Sequence, residues 1–381
     1  SVDSSRRVSV TPDVDLVVVD ESDTHLVKHE VHRVIRRPAV ADAIRVPLSA
    51  LFDRATVRTG RVTGLDRGAR TVHLDGGDDL DYDYAAVCLG SVTADYGIPG
   101  VAEHGLPLLS VEDASEIRAA FRSAAGIDAD AAGDAEGRIA VEDADEDADE
   151  DRTHTERGSP DAGEPTTPGS VDAVVGGAGL SGVQTAGELA ALAHEEGVSA
   201  DVTLVERMDD VAPTFPANFR AAVRSALESR GVNVSTDTTV ERATADAVET
   251  DRGTLDADVF VWTGGITGTG AMGGDRPMVR DDLRLDERTF VVGDAARAVD
   301  ADGEPVPASA SAAIREARTV ATNLARLVTH ERSNDGGFAP RMGPYRFEVP
   351  GWLGTVGDVT GAQLGPEVVT GPPARAMKAA G

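Results

Sequence analysis

Three glycines at fixed spacing carry the strongest chemical signal in this chain. They stand in Val-Val-Gly-Gly-Ala-Gly-Leu-Ser-Gly at 174–182, as Gly177-x-Gly179-x-x-Gly182. An apolar run at 173–175 enters the turn and a helical pattern at 184–194 leaves it. Further on, Val-Thr-Leu-Val at 202–205 ends in Glu206. Binding a dinucleotide needs this combination. The first glycine allows a tight turn, the second lets backbone approach a pyrophosphate, and the third lets helix and strand pack closely. The helix N-terminus then offers free N–H groups to phosphate. Glu206 is placed to accept hydrogen bonds from an adenosine ribose. A glycine triplet alone is weak; strand, turn, helix and acid in this order are specific. The bland alternative is a glycine-rich loop that binds nothing.

Such residues must be held by a β-α-β unit, and the sequence repeats one. After Glu206 come a helical stretch (218–230), a strand (232–235), alternating strands (240–250), and Asp-Ala-Asp-Val-Phe-Val-Trp-Thr-Gly-Gly at 256–265. In the other copy, Leu-Val-Val-Val-Asp at 16–20 leads to a helical stretch (25–36) and a strand (56–59). Alternating strands follow (62–74), then Asp-Tyr-Asp-Tyr-Ala-Ala-Val-Cys-Leu-Gly at 81–90. Each copy closes with acid-x-acid, an apolar strand and a glycine turn. The reading is an α/β, three-layer protein with two Rossmann-like dinucleotide-binding domains, one interrupted by the other, plus a small C-terminal α+β segment. The first copy begins at what should be its second strand. Residues 1–12 contain no glycine, and 7–10 supply at most a makeshift strand. A first strand and its glycine turn are therefore expected to be missing. Residues 127–170, with a nearly all-acidic run at 142–151, read as a disordered insertion, because such a composition cannot offset chain entropy.

The chain has 381 residues, enough for two or three domains. Acids number 66 against 36 basic residues, a net charge of −30, and only Lys28 and Lys378 are lysines. An acidic, lysine-poor surface suits a salt-rich cytoplasm, where counterions screen self-repulsion and the charge maintains solubility. No basic stripe is present to displace phosphate counterions, which argues against a nucleic-acid partner. The single Cys88 excludes an intramolecular disulfide and a CxxC motif. In its apolar strand it reads as a small core residue. No run of 18 apolar residues indicates a membrane span, and no signal peptide is visible. His25, His29 and His32 fall at i, i+4, i+7, but no carboxylate–histidine pattern supports a metal. No Ser-His-Asp order or GxSxG is present.

The chain resembles flavoproteins with two dinucleotide-binding domains, and is most similar to type II NADH dehydrogenase (NADH:quinone oxidoreductase). The likeness covers about residues 14–126 and 171–375. It rests on Val-Asp-Glu-Ser-Asp-Thr-His-Leu at 19–26, Cys-Leu-Gly-Ser at 88–91, and Gly-Gly-Ala-Gly-Leu-Ser-Gly-Val-Gln-Thr-Ala-Gly-Glu-Leu at 176–189. It rests further on Val-Trp-Thr-Gly-Gly at 261–265, and on Phe-Val-Val-Gly-Asp-Ala-Ala at 290–296 with Pro-Val-Pro-Ala-Ser-Ala at 305–310. The resemblance implies FAD and NADH as cofactors. Asp20 would hold the adenosine ribose of FAD, and Val62 would contact the adenine through backbone. Gly90 belongs to the turn crossing between domains. Asp294 would bond the ribityl chain, with Gly293 allowing close approach. The helix beginning near Ser309, with Ala310 at its head, would aim its positive end at the flavin. Gly177, Gly179, Gly182, Gln184, Glu206 and Gly264 would serve NADH. Glu206 favours NADH over NADPH, while Arg207 beside it weakens that preference.

The implied domains are 1–126 (FAD, first part), 127–170 (insertion), 171–266 (NADH), 267–330 (FAD, second part) and 331–381 (C-terminal dimer or membrane contact). The implied reaction moves hydride from NADH to flavin and electrons on to a quinone or other acceptor. It requires no catalytic side chain. Disulfide reductases and sulfide:quinone oxidoreductases need cysteines this chain does not have. The implied location is cytoplasmic, at most peripheral on the cytoplasmic face of a membrane, with a homodimer as the assembly. Three departures stand against the family pattern. Gln184 replaces the common glutamate. Ala-Ser-Ala-Ala-Ile-Arg at 310–315 replaces a motif with paired glutamines. No C-terminal amphipathic helix is evident. Two other readings stay open: a non-catalytic NAD-binding remnant of such an enzyme, and an NADH-dependent reductase of a protein electron carrier.

Overall fold

The computed structural model describes residues 14–127, 170–333, 338–348, 351–357, 359–364 and 367–370. The N-terminal segment read as a makeshift strand, and nearly all of the acidic insertion, lie outside the described residues. Strand β1 (Val17–Asp20) is a run of β-branched valines, which favours extended chain. It pairs in parallel with β2 (Thr56–Thr59), Val17 opposite Thr56. The long helix expected over 25–36 does not form. Thr24–Leu26 is a strand paired with Arg45–Pro47, Lys28–Glu30 is a 3-10 turn, and only Arg33–Arg36 is α-helical. Pairing with Arg45–Pro47 satisfies the extended backbone there, so tertiary context overrides the apolar spacing. The three histidines consequently do not share a helix face. Among the described residues no cluster of three metal-ligating side chains occurs.

An antiparallel meander follows (Val62–Asp66, Thr71–Leu74, Leu80–Asp81), and then β3 (Ala85–Val87). Helix α1 (Val111–Ala124) starts at a capping box. The Ser110 hydroxyl accepts from Asp113 N, and the Asp113 carboxylate accepts from Ser110 N, both at 3.0 Å. The buried face of α1 (Val111, Ala114, Ile117, Phe121) belongs to the same core as the next sheet. Val31, Val34 and Ile35 of the first copy share that core, so this helix packs on both copies.

The second copy is complete. Strand β4 (Val171–Gly176) leads through the glycine turn into α2 (Leu180–Glu196), then β5 (Ala200–Val205), α3 (Ala217–Glu228), β6 (Asn233–Ser235) and β7 (Val259–Trp262). The four strands form one parallel sheet in the order β6-β5-β4-β7. A buried charge network ties this unit to the first. The Arg36 guanidinium lies 2.7 Å from Glu188 and 3.1 Å from Glu195 of α2. Arg118 of α1 joins Glu196 at 3.1 Å and donates to the Ile35 carbonyl at 3.0 Å.

The first copy is assembled differently. Strand β8 (Thr289–Val291) pairs in parallel with β3, and α4 (Ala310–Ser333) packs near the turn after β8. Among the described residues no ladder joins the β1-β2 pair to the β3-β8 pair. Leu16 and Val17 are 41% and 43% exposed. Cys88, expected in the core, is exposed; β3 ends just before it and, among the described residues, is laddered on one side only. The C-terminal strands Gly351–Val356, Val359–Leu364 and Glu367–Thr370 form an antiparallel sheet set against α2 and α3. A Cβ on Gly187 of α2 would stand 2.7 Å from Gly357 N, so the sheet's approach needs glycine there. No described helix is long and apolar enough to cross a membrane.

Candidate dinucleotide sites

In the second copy the three glycines have three distinct surroundings. Gly177 has φ +96°, and a Cβ on it would lie 2.6 Å from Gly264 Cα. A Cβ on Gly182 would overlap the Gly177 carbonyl, and one on Gly264 would run into the Trp262 ring. Gly179 differs: its φ is −64° and nothing lies within 4 Å of where its Cβ would be. Turn and helix are therefore closed against each other on one side and bare on the other. Among the described residues no side chain caps α2, which leaves its first-turn N–H groups to the bare side. This cradle fits the pyrophosphate of a dinucleotide. The Thr263 hydroxyl, donating toward the Gly176 and Gly177 carbonyls at 3.1 and 2.9 Å, braces the turn from behind.

Glu206 stands at the end of β5 beside this cradle and is 8% exposed. One carboxylate oxygen accepts from Ala178 N at 2.7 Å, the other from Met208 N at 2.9 Å. The acid thus fixes the turn it borders, a role its spacing did not reveal. Arg207 is exposed. Gln184 is engaged elsewhere: its amide donates to the Thr355 hydroxyl at 3.4 Å, which also lies 3.3 Å from His32 Nε2. That contact joins α2 to the C-terminal sheet, and no local signal marks Thr355 or His32 as its partners.

The first-copy residues are distributed over both parallel pairs. Asp20 ends β1, and its carboxylate accepts from Ser22 N at 3.0 Å. Val62 opens the meander. Gly90 has φ +67° and open space above it. Gly293 has φ +67°, and Ala313 of α4 stands 3.1 Å from where its Cβ would be. Glycine is needed here for both conformation and space. Asp294 follows in a 3-10 turn, its carboxylate partly exposed and 3.7 Å from Lys28 Nζ. Arg276 donates to the carbonyls of Asp294 and Ala296, each at 2.6 Å. From beneath, the buried Glu316 accepts from Gly293 N at 2.6 Å. Burial raises its carboxyl above the usual range, helped by Asp294, while the Gly293 bond and Arg276 oppose the shift. Ala310 heads α4, where the Ser309 hydroxyl accepts from Ala312 N at 3.3 Å. Ser91, just after Gly90, and Thr269 hold buried hydroxyl oxygens with no hydrogen-bond partner among the described residues. Sequence reasoning missed Lys28, Arg276 and Glu316, which lie far apart in the chain and meet only at this turn. The partly open carboxylate of Asp294 and the glycine before it, a position only a residue without a Cβ could fill, fit a polar ligand chain such as that of FAD.

The model of the pyridine nucleotide-disulphide oxidoreductase family matches residues 13–317. A type II NADH:quinone oxidoreductase of Staphylococcus aureus is 23% identical over 364 residues, covering 90% of this chain and 82% of the relative. Among solved structures, NDH2 of Plasmodium falciparum in complex with NADH superposes with a TM-score of 0.73 at 11% identity. The match covers 96% of this chain and 89% of that one. A sulfide:quinone oxidoreductase of Aquifex aeolicus reaches 0.70 at 14% identity, over 97% and 84%. These likenesses place the fold among flavin- and nicotinamide-dependent oxidoreductases of Rossmann type, and FAD and NADH are the cofactors the family supports.

Proposed function

Because the chain belongs to the pyridine nucleotide-disulphide oxidoreductase family, we propose that it is an FAD-dependent NADH dehydrogenase of the type II kind. The observation that carries this reading is the bare Gly179 between the closed Gly177 and Gly182, with Glu206 beside them. Flavin, when bound, accepts hydride and passes electrons on, so the protein's task is to bind and orient. Gly177, Gly179 and Gly182 would hold the pyrophosphate of NADH. Glu206 would meet the ribose by exchanging one of its present backbone bonds. Asp20, Val62, Gly90, Gly293, Asp294 and Ala310 would hold FAD. The exposed Cys88 has no second cysteine with which to form a redox-active pair. A quinone is the proposed acceptor on the strength of the curated relative; Ala310 and Arg315, at the ends of the stretch where the family carries paired glutamines, lend it no support. Peripheral attachment at the cytoplasmic face and a homodimer belong to the same proposal.

A second reading, a non-catalytic NAD-binding remnant, is favoured by one observation: the β1-β2 and β3-β8 pairs share no ladder among the described residues. One measurement separates the two. Protein purified in molar salt and incubated with FAD should show the visible flavin spectrum and bleach on adding NADH. A colourless protein that binds NADH tightly would favour the remnant. Reoxidation by menaquinone analogues supports the quinone; reoxidation only by a ferredoxin-type protein supports a carrier reductase.

A further inference from the structure

We infer that Lys28 is a positioning residue that sets the charge of the flavin site, an assignment that rests on the FAD reading above. Only two of the 36 basic residues are lysines, and Lys28 is the one among the described residues. Everywhere else in that set the chain uses arginine, the better partner for a carboxylate because its planar fork binds two oxygens at once. Here it keeps a lysine, and the ammonium faces Asp294 at 3.7 Å. That separation is an ion pair but too long for a hydrogen bond. The two side chains are 39% and 28% exposed, and at this distance Asp294 leaves the ammonium's donors unspent. A compact ammonium with three rotatable donors can serve a carboxylate and a ligand oxygen together.

The surroundings show why a cation is needed there. The turn at 293–295 carries two acids, Asp294 on its open side and the buried Glu316 under it. The nearby Arg276 directs its donors to the Asp294 and Ala296 carbonyls. Lys28 is the cation that faces the Asp294 carboxylate itself. It also comes from the other half of the domain: its 3-10 turn follows β1, whereas Asp294 follows β8. A flavin held at Asp294 becomes more electron-rich on reduction. A positive charge facing it favours the reduced form, as electrostatic tuning of a bound cofactor requires.

The test is the flavin's reduction equilibrium, measured by dye equilibration in molar salt on FAD-loaded wild type, Lys28→Gln and Lys28→Arg. Loss of one facing charge should lower the reduction equilibrium constant about tenfold, or about 30 mV for a two-electron couple. Lys28→Arg should restore most of it. A Lys28→Gln protein that keeps FAD with an unchanged potential overturns the assignment while leaving the dehydrogenase reading intact. A Lys28→Gln protein that loses FAD affinity, with Lys28→Arg losing it equally, reduces Lys28 to a shape-dependent contact and also overturns it. Wild type that takes up no FAD removes the functional reading, and this assignment with it.

Discussion

At the scale of single residues, the glycines of the turn divide into two kinds, and substitution should separate them. Gly179→Ala meets open space at an ordinary φ, so the protein should keep its stability within about 0.5 kcal/mol. The methyl group would stand where the pyrophosphate must approach, and NADH should bind about tenfold more weakly. Gly182→Ala drives a methyl into the Gly177 carbonyl and should cost roughly 1–3 kcal/mol. Paired urea melts and NADH titrations test this; equal stability losses in both variants would sink it. Glu316 yields a pH prediction. Below its ordinary value of 4.5 the carboxyl is protonated in folded and unfolded chains alike, and burial exacts no penalty for charge. Above its raised folded value the native state carries a buried carboxylate that the unfolded chain keeps in water, so stability falls as pH rises through this window. Glu316→Gln should therefore gain on wild type as pH rises above 4.5, until the raised folded value is passed. Urea midpoints whose difference stays constant as pH rises from 4.5 would contradict it.

At the scale of elements, the seam between the two units depends on Arg36 and Glu188, whose side chains are 5% and 3% exposed. Removing one partner strands a buried charge, so Arg36→Ala should cost roughly 3–5 kcal/mol. An Arg36→Met, Glu188→Leu double variant should recover most of that loss. Denaturant melts would show the rescue, and its failure would mean the pair stabilises on its own account. Ser110→Ala breaks the capping box of α1 and should cost about 1 kcal/mol, read as a shift in urea midpoint. The elements themselves differed in legibility. Val171–Gly176, Leu180–Glu196 and Thr56–Thr59 follow directly from periodicity and the glycine turn. The 25–36 stretch misled at its start, because its apolar spacing is helical but the backbone of Thr24–Leu26 is claimed by Arg45–Pro47. Spacing reports which face is apolar; it does not report a distant strand competing for the same hydrogen bonds.

At the scale of the whole molecule, a net charge of −30 repels itself. Lowering salt from molar to about 0.1 M should lower the melting temperature, because exposed acids lose their screening while the buried seam is little affected. A melting temperature independent of salt would argue against a salt-rich setting.

The sequence by itself determined the duplicated α/β plan, the glycine turn with its acid, and the flavoprotein family, because each is written in contiguous residues with a local physical meaning. Tertiary structure alone decided that Glu206 ties down the turn, that Gln184 faces Thr355, that Cys88 is exposed, and that Lys28, Arg276 and Glu316 converge on Asp294. Those facts arise from chain segments brought together across hundreds of residues, and neither spacing nor composition encodes a distance in space.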